Sequence, residues 1–302
     1  MLKVRRISYL YAPACKFICI FLLPLRRLYF KPTIFVLKMR HVFLTLIFNL
    51  IMLPVAFGSN AGELNIIVLG DSNTSIGGDD CLNPKGWTKW FAERLSPKSC
   101  RSYARSGATW TNTKSTRYDI FEKTDVLSDN NVIYNQANRL INDCDKNNAV
   151  APDVIIIAAG TNDAWFSAKR PGLYAKTAEQ AFLTAGYISK NKPSSVLTLA
   201  ESVRYVCETL MQRFPKAQII LLTPMQTIKA SYQKIRQTGD IIEQCANRMA
   251  IPVVRQDFLT GVYDNQERIS QIKTSDGTHT SAEGARRNGY LLANIISLLL
   301  CY

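Results

Sequence analysis

A hydroxyl, an imidazole and a carboxylate can together perform nucleophilic acyl transfer, and this chain holds candidates for all three in short, well-separated motifs. His279, in Asp276-Gly277-Thr278-His279, is the single histidine outside the N-terminal leader; the other, His41, lies in a basic, apolar stretch. General-base chemistry near neutral pH through an imidazole therefore has one candidate. Upstream, one aliphatic run ends in Gly70-Asp71-Ser72 and a second ends in Gly160-Thr161-Asn162-Asp163. The three clusters read together as the parts of a serine hydrolase.

The elements that must position them follow a strand-helix alternation. Short aliphatic runs separated by helical patterns predict a parallel sheet flanked by helices. Strands are expected over residues 64–69, 99–104 (an edge strand), 154–159, 218–222 and 252–254. Helices are expected over 87–95, 196–214 and 232–250. A last helix is expected to be capped by Thr280, with Glu283 at the capping-box spacing. Its apolar face, Leu291, Leu292, Ile295, Ile296 and Leu299, should pack on the sheet. Residues 112–151 and 164–195 are long, polar connections expected to hold extra helices that shape a cleft. In open parallel sheets ligands bind beyond the carboxyl ends of the strands. Ser72, Asn162 and Thr223 all follow such ends, and the loop from Asp276 to His279 can close over the same rim.

At this point the sequence resembles the SGNH, or GDSL, hydrolase family. The matching residues are Gly70-Asp71-Ser72-Asn73-Thr74, Gly107 in Ser106-Gly107-Ala108-Thr109, Gly160-Thr161-Asn162-Asp163, and Asp276-Gly277-Thr278-His279. They occur in the family's order and span the chain from about Leu64 onward. The resemblance implies a three-layer α/β/α, flavodoxin-like fold with a central parallel sheet of about five strands. It also implies a triad in which Ser72 is the nucleophile, His279 the base and Asp276 the group that fixes the imidazole tautomer. The oxyanion donors it implies are the Ser72 and Gly107 backbone N–H groups and the Asn162 side-chain amide. One departure stands out: where the family often has Asn-x-Gly before its key glycine, this chain has Ser102 and Ala104. No Gly-x-Ser-x-Gly elbow is present, so the α/β-hydrolase pattern does not apply. Asp71, Thr161 and Asp163 are read as loop organisers. Trp110, Trp165 and Phe166 follow the second and third motifs and could line a substrate pocket or serve packing.

Composition excludes other classes. The net charge of +14 suggests nucleic acid, but nine Lys or Arg and no acid fall in residues 1–58, leaving 28 basic against 23 acidic residues. No basic stripe interleaved with aromatics remains, so no nucleic-acid partner is expected. Residues 39–58 have a positive start, an apolar stretch too short to span a bilayer, and small residues at Ala56 and Gly58. They are expected to be a signal peptide cleaved near Gly58-Ser59, leaving residues 59–302 as the hydrolase domain in the periplasm or outside the cell. For residues 1–38 two readings stand: translation begins at Met39, or the segment is a membrane-associated extension; an uncleaved leader is the one expected route to a membrane anchor. Six cysteines lie beyond the leader, an even count that permits disulfides, with Cys81 and Cys100 the first pair to test. No Cys/His spacing suggests zinc, and neither a metal nor another cofactor is expected. The expected substrate is a small-molecule or carbohydrate ester carrying a small acyl group such as acetyl. The alternatives are a lipase, lysophospholipase or thioesterase acting on longer chains, and a non-catalytic binding protein of the same fold.

Overall fold

A computed structural model describes residues 60–118 and 128–300 of the chain. The expectations for the leader and for Cys301 lie outside the described residues. Five strands form one sheet: β1 (Asn65–Gly70), β2 (Ser99–Ser102), β3 (Val154–Ala158), β4 (Gln218–Leu222) and β5 (Val253–Val254). All are parallel and their order is β2-β1-β3-β4-β5. The helices are α1 (Ser72–Ser75), α2 (Trp87–Leu95), α3 (Ile133–Asp145), α4 (Thr161–Trp165), α5 (Ala178–Ala181), α6 (Leu199–Arg213), α7 (Tyr232–Arg248), α8 (Gln256–Leu259), α9 (Asp264–Ile269) and α10 (Ala282–Leu299). Among the described residues no helix is long and apolar enough to cross a membrane.

The strands lack a polar face because both faces are covered. Ile67, Leu69, Ile155, Ile157 and Leu221 point to one side, where α3, α6 and α7 supply Leu140, Val203, Leu210 and Ile242. Ile66, Val68, Ile156, Ile220 and Leu222 point to the other, against Trp87, Phe91 and Leu95 of α2 and Leu292 and Ile296 of α10. This is the expected three-layer α/β/α sandwich, with every catalytic candidate beyond the carboxyl ends of the strands.

Several boundaries differ from the sequence reading by a few residues, and three helix ends have a local cause. Helix α6 starts at Leu199 because the Thr198 side chain accepts the Glu201 N–H as N-cap. Helix α7 stops at Arg248, and Ala250 adopts φ +55° in the turn that follows. The last helix is capped by Ser281, whose hydroxyl accepts the Gly284 N–H at 3.1 Å, not by Thr280. Thr280 is instead drawn inward, its N–H donating to Asn73 Oδ1 at 3.3 Å. The five described cysteines are free thiols. Cys81 and Cys100 nonetheless lie side by side, and their contact, with burial, pushes the Cys100 thiol well up.

Candidate active site

Strand β1 delivers the serine. At its end the Gln136 amide donates to the Gly70 carbonyl and accepts the Gly70 N–H, both at 2.8 Å. Asp71, buried, then caps α1 by accepting the Asn73 N–H at 3.1 Å, so Ser72 opens the helix half-exposed to solvent. Burial raises the Asp71 carboxyl from its ordinary 3.8 to about 6, against hydrogen bonds from Thr161 and the Asn73 N–H.

The loop after α9 delivers the imidazole, and several contacts fix its path. Fully buried Glu267 accepts the N–H and hydroxyl of Thr274, at 2.9 and 2.6 Å. Thr227, beyond β4, donates its hydroxyl to the Gly277 carbonyl at 3.1 Å and contacts the Thr278 hydroxyl at 2.7 Å. Gly277 has φ +82°, and a Cβ there would meet the Ile228 side chain at 2.3 Å; only glycine fits this turn. Asp276 Oδ1 accepts the N–H groups of Thr278 and His279, at 2.9 and 2.8 Å. Its Oδ2 lies 2.7 Å from His279 Nδ1, and His279 Nε2 lies 2.8 Å from Ser72 Oγ. The tautomer that satisfies both contacts has Nδ1–H donating to Asp276, leaving Nε2 free to accept the serine proton. Partial burial works to raise the Asp276 carboxyl, but hydrogen bonds from the His279 ring and the two backbone N–H groups win and hold it low.

The predicted oxyanion donors flank this chain of contacts. Tyr103 N–H donates to the Val68 carbonyl at 2.9 Å and Arg105 N–H to the Gly70 carbonyl at 3.1 Å, so residues 103–107 run along the exit of β1. Ser106 Oγ lies 3.0 Å from Ser75 Oγ, one turn of α1 beyond the serine. Gly107 has φ +79°. Ser102, at a position where the family often has asparagine, braces this loop with its hydroxyl, which accepts the Ala104 N–H at 3.1 Å. Asn162, buried in the first turn of α4, donates one amide N–H to the Ala108 carbonyl at 2.9 Å. Contacts thus join Ser72, His279 and Asp276 directly, and link Gly107 and Asn162 to the same rim through their neighbours.

Asp163 and Thr223 organise loops. The Asp163 carboxylate accepts the N–H groups of Trp110 and Thr111, at 2.9 and 3.1 Å, and the Thr111 hydroxyl at 2.7 Å. Thr223 donates to Asp257 Oδ1 at 2.9 Å. The Asp163 clamp also corrects one expectation. It turns Trp110 into the core, where the ring is fully buried beside Ile133 and Leu173, so Trp110 packs and does not line a pocket. Trp165 and Phe166 are half-buried at the rim and stacked, with ring centroids 5.1 Å apart. Phe166 and Gly107 border a cleft of about 470 Å³. Gln136, Thr227 and Glu267, which hold the site in place, went unnoticed in the sequence; each is an ordinary polar residue with no motif to mark it.

The family model for GDSL-like lipases and acylhydrolases matches residues 68–287, a span that includes the serine, both predicted oxyanion motifs and the histidine loop. The chain belongs to the GDSL-like lipase/acylhydrolase family. No curated protein sequence matches it. Solved structures resemble the chain at low identity. A GDSL-like lipase from Parabacteroides merdae is 17% identical, with 79% of this chain and 99% of that one covered and a TM-score of 0.50. A lipase/acylhydrolase from Enterococcus faecalis is 17% identical, with 78% and 97% covered and a TM-score of 0.47. As a GDSL-like family member the protein is an ester hydrolase by class, and its five-stranded parallel sheet is the family's.

Proposed function

We propose that the protein is an exported serine esterase that removes small acyl groups, acetyl foremost, from carbohydrates. The observation that carries the catalytic part is the unbroken contact chain from Ser72 Oγ through His279 to Asp276, at 2.8 and 2.7 Å. In this reading Ser72 Oγ attacks the ester carbonyl carbon while its proton passes to His279 Nε2. Asp276 stabilises the imidazolium, and the oxyanion takes hydrogen bonds from the Ser72 and Gly107 N–H groups and the Asn162 amide. The bond to the alcohol oxygen then breaks, and His279 returns the proton to the leaving alcohol. Water, deprotonated by His279, attacks the acyl-serine; the carboxylic acid leaves and Ser72 regains its proton.

The preference for a small acyl group on a sugar rests on the cleft beside Gly107. Thr113, Ser115 and Ser128 line it, and among the described residues Phe166 is its one large apolar side chain. That is poor lining for a long alkyl chain and good lining for hydroxyls. Hydrolysis of p-nitrophenyl esters from C2 to beyond C8, followed by acetylated saccharides, tests the reading. Steep preference for C2 is expected; optimal turnover at C8 or longer would assign the protein to lipids. A fluorophosphonate probe should label Ser72, and a folded protein that resists it would be a binding module. Sequencing the N-terminus of the protein from its native host tests export, with Ser59 as the expected first residue.

A further inference from the structure

A single turn decides where the Gly107 N–H points. The Ala108 N–H donates to the Arg105 carbonyl at 3.2 Å, so residues 105–108 form a β-turn with Ser106 and Gly107 at its centre. Type I and type II turns differ in the orientation of that central peptide, and the φ of +79° at Gly107, the third residue, belongs to type II. Glycine makes this turn accessible without making it obligatory, because it tolerates both signs of φ. In a trans peptide the carbonyl and the N–H point opposite ways. Whatever holds the Ser106 carbonyl therefore aims the Gly107 N–H.

Asn131 holds it. Its side-chain amide donates to the Ser106 carbonyl. Its main chain is fixed against the same loop: the Asn131 carbonyl accepts the Thr109 N–H at 3.2 Å, and the Ile133 N–H donates to the Thr109 carbonyl at 2.9 Å. The Asn131 side chain is buried, and among the described residues its own Oδ1 has no donor. A buried acceptor left unpaired works against stability, so the fold by itself gives little reason for an asparagine here. The N–H groups of Arg105, Ala108 and Thr109 are all engaged within the protein. Among the described residues the Gly107 N–H has no partner.

We propose that Asn131 is a positioning residue for the oxyanion hole: by holding the Ser106 carbonyl it selects the type II turn and keeps the Gly107 N–H available to the oxyanion. Asn131 acts through the peptide and not on the substrate. Its bond to the carbonyl also polarises that peptide, which makes the N–H at the other end a better donor. This role rests on the esterase reading and adds to it the group that sets one of the three oxyanion donors.

Two variants of the full-length protein test it. Asn131→Asp is nearly isosteric but reverses the polarity: its carboxylate repels the Ser106 carbonyl and attracts the Gly107 N–H, which favours the flipped peptide. Asn131→Ala removes the bond and puts nothing in its place. With p-nitrophenyl acetate, kcat is expected to fall by about 10²-fold in the aspartate variant, the scale of one lost oxyanion donor, and by about tenfold in the alanine variant. KM should stay close to wild type in both, because the donor is used in the transition state. A trifluoromethyl ketone, whose adduct with Ser72 carries an oxyanion, should lose affinity by the same factors. Rates are measured below the melting transition of each variant. Wild-type kcat in the aspartate variant overturns the proposal. So does a shift in KM or melting temperature without a fall in kcat, which is what a purely structural asparagine would give, and so does a fall in kcat that leaves the ketone bound as tightly as before. In all three cases a wild type that hydrolyses p-nitrophenyl acetate keeps the esterase reading intact. A wild type that neither hydrolyses this ester nor reacts with a fluorophosphonate at Ser72 overturns that reading and this inference with it.

Discussion

The side-chain amide of Gln136 closes a two-bond clasp on Gly70, donating to its carbonyl and accepting its N–H at 2.8 Å each. Gly70 ends β1 two residues before Ser72. Replacing Gln136 with Leu would orphan the buried N–H, while the carbonyl keeps the Arg105 N–H. The expected loss is about 1–3 kcal/mol in chemical denaturation, with turnover falling further because the strand end that aims Ser72 loosens. Unchanged stability would mean that another group takes over the N–H.

Ser72→Ala should abolish ester hydrolysis, by at least ~10⁴-fold in kcat, on the scale known for nucleophile loss in serine hydrolases. Stability should barely move, because Ser72 is half-exposed and among the described residues its hydroxyl engages only the imidazole. Turnover and melting temperature measured on one preparation check both halves; a fully active variant ends the serine mechanism.

Asp276→Asn isolates the orienting role. Oδ1 is held by two backbone N–H groups, so the asparagine keeps its oxygen there and turns its amide nitrogen to His279 Nδ1. That nitrogen can only donate, which forces the proton onto Nε2 and leaves nothing to accept the serine proton. The expected loss in kcat is about 10²–10⁴-fold and no greater than for His279→Ala. Wild-type rates would mean that another group sets the tautomer.

Asn162→Ala should lower kcat by about 10²–10³-fold with little change in KM, the signature of a donor used in the transition state. Because Asn162 also donates to the Ala108 carbonyl, a stability loss near 1 kcal/mol should accompany it. A KM effect alone would instead assign Asn162 to ground-state binding.

Asp71→Asn makes a pH-dependent prediction. With its carboxyl raised from 3.8 to about 6, the folded protein holds a proton that the unfolded chain has released. Stability from this group is full below the unfolded value and is lost as pH rises through about 6. The neutral amide still accepts the Asn73 N–H, so the variant should outlast the wild type above that pH, by up to ~3 kcal/mol. In acid the two should melt together. A gap independent of pH would show that Asp71 does not titrate in this range.

Much of this was legible beforehand because the signals are local. Buried parallel strands are continuous aliphatic runs, so β1, β3 and β4 stand out, and the residues that follow them fall on one rim by topology. The histidine loop is legible because the chain holds so few histidines. What escaped detection depends on contacts between distant residues. Gln136 reaches Gly70 across 66 positions, and Thr227 meets Thr278 across 51. Trp110 follows a motif and so could be read as pocket lining or as packing; Asp163, 53 residues later, decides for packing by turning it inward. The Thr280 cap failed more narrowly: Thr280 and Ser281 are both good N-caps, and the bond from Thr280 N–H to Asn73 decided between them.

The hydroxyl at 72 and the imidazole at 279 lie 207 positions apart, and α10 follows the imidazole and seats against α2. A ribosome therefore adds 207 more residues after the serine before that serine has a base. Until that closing helix docks, the nascent chain carries an inert alcohol, shielded by assembly order from attacking esters around it.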